Sequence, residues 1–172
     1  MEEIIETILP NVASHPERFL NGLLETFIMT IWSGAISFVL GLLIGITITV
    51  TKKGGVLENR VVYQIFDKLI NLFRSIPFII LLTGVMPLSR LIMGTAIGIR
   101  GAIVPLIFGT VPFFSRQIES ALAEVDSGLI EAAESMGLSP VDIIFRVYLK
   151  ESIAPIVRGT TITTVSLIGL TA

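Results

Sequence analysis

Apolar positions in this chain fall in long blocks and lack the alternation of a half-buried strand. Residues 26–51 make 26 consecutive positions without a charge, including the run FVLGLLIGITITV. That exceeds the roughly 20 apolar residues a helix needs to cross a bilayer. Three more blocks follow, residues 69–88, 94–115 and 152–172, and each holds one arginine: Arg74, Arg100 and Arg158. Each lies within about two turns of its expected helix start, and helical side chains lean toward the N-terminus, so each can snorkel back to the interface. Anchoring is the simpler account of the three; a part in transport is the other. The pattern predicts an all-α polytopic membrane protein with four visible spans.

A signal peptide would need a basic start. The residues ahead of the first block carry five acids, Glu2, Glu3, Glu6, Glu17 and Glu25, and one base, Arg18, the reverse of that requirement. With the N-terminus outside, one side receives Lys52, Lys53, Arg60, Lys68, Arg116, Arg146 and Lys150, and the other only Arg18, Arg90 and Arg100. Lysine and arginine favour the cytoplasmic side. Residues 1–25 are therefore expected outside and residues 26–172 as one transmembrane domain, with a cytoplasmic loop at about residues 116–151.

The spacings Gly41 to Gly45 and Gly94 to Gly98 are small-xxx-small and predict close helix packing. Pro77, Pro105 and Pro112 fall inside apolar blocks, remove backbone donors and predict kinks. Kinked, glycine-rich helices suit a moving pathway as well as ordinary packing. Composition then narrows the chemistry. Of 172 residues 52% are hydrophobic and 15% charged, with a mean hydropathy of +0.87, against about 25% charged in a typical soluble domain. Twelve Lys+Arg against 14 Asp+Glu give a net charge of -2, which offers nucleic acid no basic surface. Cysteine is absent and His15 is the single histidine, which excludes disulfides and thiolate sites and disfavours zinc hydrolysis and Ser-His catalysis. No GxxxxGK[ST] occurs, so ATP has no P-loop here. No metal and no cofactor is expected.

The polar stretch IESALAEVDSGLIEAAESMGLSPVDIIFRVYLKESIAP carries the most information. Ala121, Val125, Leu129 and Ala132 recur at helical spacing, and Gly137 offers a C-cap with positive φ. Ser139 suits an N-cap, with Pro140 at the first helical position and Asp142 three residues on, a variant capping box. Ile143, Ile144, Val147 and Tyr148 make a second apolar face. Two short helices hinged at Gly137 are expected. A DNA-reading helix-turn-helix is excluded by charge, because residues 119–151 hold seven acids against Arg146 and Lys150. Glycine at the joint and the small pair Ala132-Ala133 favour a surface on which another protein docks closely.

Glu131-Ala132-Ala133, three residues, then Gly137 resembles the EAA motif of ABC-type importer permeases, whose cytoplasmic loop docks into a cleft of a partner ATPase. Val147 and Leu149 match the rest of that pattern. Lys150 stands where proline is usual, and Pro155 fits a second proline common a few residues later. Residues 74–82, RSIPFIILL, and the stretch from Gly94-Thr95 through AIVPL to Pro112-Phe113 are similar to the methionine-importer branch of that family. The likeness runs from about residue 19 to the end. It implies a type I ABC importer permease-like bundle in a bacterial cytoplasmic (inner) membrane, with five spans where four are visible, so C-terminal truncation is expected.

The resemblance also implies partners: a dimer of ATPase subunits, an extracytoplasmic substrate-binding protein and a second copy of this chain. The expected function is the membrane-spanning subunit of an ATP-driven importer of a small amino acid, methionine first, working by alternating access; the permease itself is not an enzyme. The coupling residues expected are Glu131, Ala132, Ala133, Gly137, Ser139 and Pro140. Gly159, Thr163 and Ser166 share a face of the hydroxyl-rich last block and, with Ser75 and Pro77, are expected along the route. The other account of those hydroxyls is bonding back to their own helix carbonyls. A permease for another small solute and a non-transport membrane protein that recruits a cytosolic partner are the competing functions. No acid lies deep in a span, which disfavours a proton-relaying carrier.

Overall fold

The structure, a computed structural model, describes residues 15–171; residues 1–14, most of the expected outer segment, lie outside them, as does Ala172. The described residues form α1 (Pro16–Thr51), α2 (Arg60–Ser75), α3 (Phe78–Met93), α4 (Gly98–Ala123), α5 (Ser127–Ser135), α6 (Pro140–Ile143), α7 (Leu149–Glu151) and α8 (Ile153–Thr171). A π-helical turn, Ile144–Tyr148, joins α6 to α7. Helix α1 starts well ahead of the charge-free block, with Pro16 in its first turn, where a missing N–H costs nothing.

Helices α1, α4 and α8 are long and apolar enough to cross a membrane. The expected span over residues 69–88 is not one helix. Helices α2 and α3 meet at a bend of 112°. Pro77 has no N–H and biases the preceding residue toward extended backbone, and Ile76 lies at φ -87, ψ 122. The proline read as a kink therefore ends α2 outright and caps α3. Counted as one bent crossing, the pair brings the total among the described residues to four. Pro105 and Pro112 behave differently: both are buried within α4, which runs on through them.

Contacts set the directions of the helices. Gly41 abuts Phe114 and Gly45 abuts Ile118, so α1 and α4 run the same way. Thr30 and Thr171 share a hydroxyl hydrogen bond of 3.2 Å, Gly34 meets Leu167, and Gly159 meets Gln117. Helix α8 therefore runs opposite to both. The bent pair returns along α4, with Phe73 edge-on to Phe108 at 5.5 Å and Ser89 Oγ donating to the Gly101 carbonyl at 2.6 Å. In consequence, residues 52–59 and residues 124–152 emerge at the same end of the bundle.

The two glycine pairs do different jobs. A Cβ on Gly45 would sit 2.6 Å from Ile118 Cβ and 2.8 Å from the Ser115 carbonyl oxygen, and one on Gly41 would sit 2.6 Å from the Phe114 ring. These two let α1 and α4 approach, as the spacing predicts. Gly94 and Gly98 do not pack helices. They lie at φ +77 and +74 with open space around them, and they shape the turn between α3 and α4.

Candidate functional site

The polar stretch folds as an elbow on the end of α4. Helix α4 continues to Ala123, so the expected loop boundary near residue 116 falls inside it. The Ala121 to Ala132 stripe is likewise divided between two helices. Asp126 causes the division: its carboxylate accepts from the Gly128 N–H at 2.6 Å and caps α5, a signal that Asp-Ser-Gly carries in the sequence. Gly137 closes α5 at φ +77. Its N–H donates to the Glu134 carbonyl at 2.9 Å and the Leu138 N–H donates to the Ala133 carbonyl at 3.1 Å, the two bonds of a Schellman motif.

Ser139 begins the second arm. The Asp142 N–H donates to Ser139 Oγ at 3.2 Å, and the hydroxyl donates to Asp142 Oδ2 at 2.6 Å, with Pro140 at the first helical position. The Ser139 hydroxyl first and the Arg146 guanidinium second hold the Asp142 carboxyl below the usual carboxylate range. Because that shift is downward, its contribution is present above the unfolded carboxylate pKa and is lost as pH falls through the folded one. Ser139→Ala is expected to destabilise the elbow by about 1 kcal/mol, read as a lower thermal midpoint in detergent, and to return the Asp142 titration toward the ordinary range.

Phe114, Ile118, Leu122, Ala133, Ile143 and Tyr148 form one buried cluster, with Leu42, Ile46, Val56, Leu138 and Ile156 packed around it. The elbow is thereby seated on α4, α1 and the start of α8. Burial, with the Glu134 charge behind it, raises the Tyr148 phenol above its usual value. The π turn within this arm carries no sequence signal. Lys150, where the motif has proline, lies inside α7, and the helical backbone breaks two residues on, at the C-cap Ser152 with φ -94, ψ 9, before α8 begins.

The structure separates Ala132 from Ala133. Ala133 is buried against the elbow's own core, so it braces α5 from within. Glu131, Ala132, Gly137, Ser139 and Pro140 are exposed. Leu129 and Ala132, and the C-cap residue Met136, spaced i, i+3, i+7, share a side at α5, and Leu129 and Met136 are 46% and 72% exposed. Val141 and Phe145 on the second arm are exposed as well. The elbow thus leaves an apolar stripe exposed, and Glu124, Asp126, Glu131 and Glu134 are exposed as well.

The expected route residues fall in two places. Gly159 and Thr163 are buried where α8 meets α4. Thr163 lines a cavity of about 300 Å³ with Thr30, Ser37, Thr110, Thr160 and Leu167. Ser37 Oγ and Thr110 Oγ1 there are buried without a hydrogen-bond partner. Ser166 is exposed and meets Thr163 in a smaller cavity of about 100 Å³. Ser75 and Pro77 lie apart from these, exposed at the α2–α3 bend, with Ser75 Oγ donating to the Leu72 carbonyl at 2.7 Å. The hydroxyls of Thr160, Thr161, Thr163 and Thr164 each bond back to the carbonyl four residues earlier, the local option the sequence left open.

Comparison with known proteins agrees with this architecture. The family described as binding-protein-dependent transport system inner membrane component matches residues 37–172. The D-methionine transport system permease protein MetI of Yersinia pestis is 46% identical over 151 residues, covering 88% of this chain and 70% of the relative. That of Escherichia coli K12 is 44% identical over 161 residues, covering 92% and 74%. An inward-facing structure of the MetNI methionine ABC transporter superposes with a TM-score of 0.85 at 44% identity, over 88% of this chain and 70% of that one. This chain belongs to the binding-protein-dependent transport system inner membrane components. It is an inner-membrane permease subunit.

Proposed function

We propose that this chain is the membrane-spanning subunit of an ATP-driven methionine importer, coupled through its elbow to a separate ATPase. The observation that carries the reading is the elbow itself: a short capped helix, seated on α4 and α1 by Phe114, Ile118 and Leu122, presenting Leu129, Ala132 and Met136 outward. With no nucleotide site of its own, the permease receives work mechanically, and closure of an ATPase dimer on the elbow biases the bundle between inward-open and outward-open states. Relatives at 44–46% identity are named as D-methionine permeases, and the matching structure is of a methionine transporter.

The coupling role is assigned to Glu131, Ala132, Gly137, Ser139 and Pro140, with Ala133 as their internal brace. The four crossings among the described residues enclose no pathway in one copy, so a twofold pair of copies is the working unit, fed by an extracytoplasmic binding protein. The elbow end is assigned to the cytoplasm and the start of α1 to the outside; the seven-to-three distribution of bases supports this. The route is assigned to the α8 face of Gly159, Thr163 and Ser166, with Ser75 and Pro77 at the bend. Two unpartnered hydroxyls in the adjoining cavity support a polar passage there.

The test is reconstitution with an ATPase subunit and the binding protein in liposomes. ATP-dependent uptake of labelled methionine is expected. Uptake of a different amino acid in its place would move the substrate assignment, and an elbow protected from aqueous reagents on the ATPase side would remove the coupling assignment.

A further inference from the structure

We infer that Arg116 is a positioning residue that grips α2 through Asp67 and Asn71 and so passes movement of the elbow to the bent α2–α3 crossing; this rests on the importer reading above. Arg116 lies in α4 just ahead of Ile118 and Leu122, which hold the elbow core. Its guanidinium reaches out of α4: Nη2 donates to the Asp67 carboxylate and to Asn71 Oδ1 at 3.0 Å, while Nη1 donates to Glu119 Oε2 at 2.5 Å. Asn71 Nδ2 donates to Asp67 Oδ2 at 3.2 Å and closes the network. The other ion pairs among the described residues differ in kind. Arg146–Asp142 is local to the elbow, and Arg158–Glu124, at 3.6 Å, is largely exposed.

The rest of the α2–α4 contact is apolar, with Ile70 buried and Phe73 against Phe108. Apolar contact is non-directional and tolerates sliding, whereas a forked guanidinium fixes the register of the two helices it joins. The placement explains the polar side of α2. Gln64, Asp67, Lys68 and Asn71 share it, while Val61, Ile65, Leu69 and Leu72 make an exposed apolar side. A tilt of α4 imposed at the elbow thus pulls α2 at the turn holding Asp67 and Asn71. Downstream, the Ile76-Pro77 break lets the crossing change angle without disrupting a helix.

Removing Arg116 leaves Asp67 and Glu119 facing each other without a cation, so the cleaner variant cuts the α2 side alone. Asp67→Ala with Asn71→Ala keeps the Arg116–Glu119 pair on α4. In the full-chain permease–ATPase complex in liposomes, the double variant is expected to assemble and hydrolyse ATP while methionine imported per ATP falls roughly tenfold. Lys68→Ala, on the same polar side but outside the network, is expected to keep the unaltered ratio. An unchanged ratio in the double variant, loss of assembly, or an equal fall in Lys68→Ala overturns the inference.

A second measurement does not depend on the transported solute. The chain has no cysteine, so Gln64→Cys gives the permease a single thiol, and label on the permease band reports on α2. ATP with vanadate is expected to change its labelling by an aqueous maleimide, and the double variant is expected to abolish that response. A response that is absent without the double variant, or that survives it, overturns the link. Absence of ATP-dependent methionine uptake by the unaltered complex sinks the importer reading instead, while the labelling still judges the link.

Discussion

Gly137→Val is expected to lower ATP-driven uptake roughly tenfold while the subunit still inserts and extracts as a folded protein. The cause is backbone, since a Cβ at this position meets nothing within 4 Å. At φ +77 an L-residue pays about 1–2 kcal/mol, and a β-branched one is a genuine outlier. Relief comes by unwinding the last turn of α5, which breaks the bonds from the Gly137 and Leu138 N–H groups to Glu134 and Ala133. Leu129, Ala132 and Met136 then lose their fixed relation to the second arm, and with it the shape proposed to dock on an ATPase. Asparagine tolerates the left-handed region best among the alternatives, so uptake should fall in the order Gly, Asn, Ala, Val. Normal uptake by the valine variant, at normal expression, would remove Gly137 from the coupling machinery.

The second large effect lies in the membrane. Gly45→Ala is expected to destabilise the bundle by about 1–3 kcal/mol, the usual range for overpacking, and Gly41→Ala by less. Both added methyls start 2.6 Å from a neighbour, but the neighbours differ. At Gly41 the nearest atom belongs to the Phe114 ring, which can tilt against Phe38, 5.3 Å away between centroids. At Gly45 the obstacles are Ile118 Cβ and the Ser115 carbonyl oxygen, so α4 itself must move away from α1. Gly169→Ala, with nothing within 4 Å, is the neutral control. Thermal unfolding in detergent, followed by size-exclusion chromatography, ranks the three; equal midpoints for Gly45→Ala and Gly169→Ala would contradict the close contact.

Local chemistry was readable wherever it acts within a few residues. Gly137 as a C-cap and Ser139-Pro140-Asp142 as an N-terminus depend on a side chain or φ angle and its immediate neighbours, and both occur as read. Asp126 was equally local, yet the helical spacing from Ala121 to Ala132 concealed it, although Ala121 is buried in α4 while Leu129 and Ala132 are exposed on α5. Gly94 and Gly98 show the converse. Their spacing is that of a packing motif, and only the path of the chain decides that they form a turn. Ala132 and Ala133 are chemically alike, and burial alone assigns one to the surface and the other to the core.

Charge-free length, glycine spacing within the first block, and the Glu-Ala-Ala-to-Gly interval settled from the sequence alone that this is a helical membrane protein with a hinged polar elbow, because hydrophobic transfer and backbone strain are properties of short stretches. The tertiary structure decided what depends on distant residues meeting. It turned the second apolar block into a bent pair, seated the elbow on α4, and joined Arg116 to Asp67 and Asn71 across 49 and 45 positions of chain. A salt bridge or a helix contact at such separation leaves no periodic trace, since either partner alone reads as an ordinary polar residue.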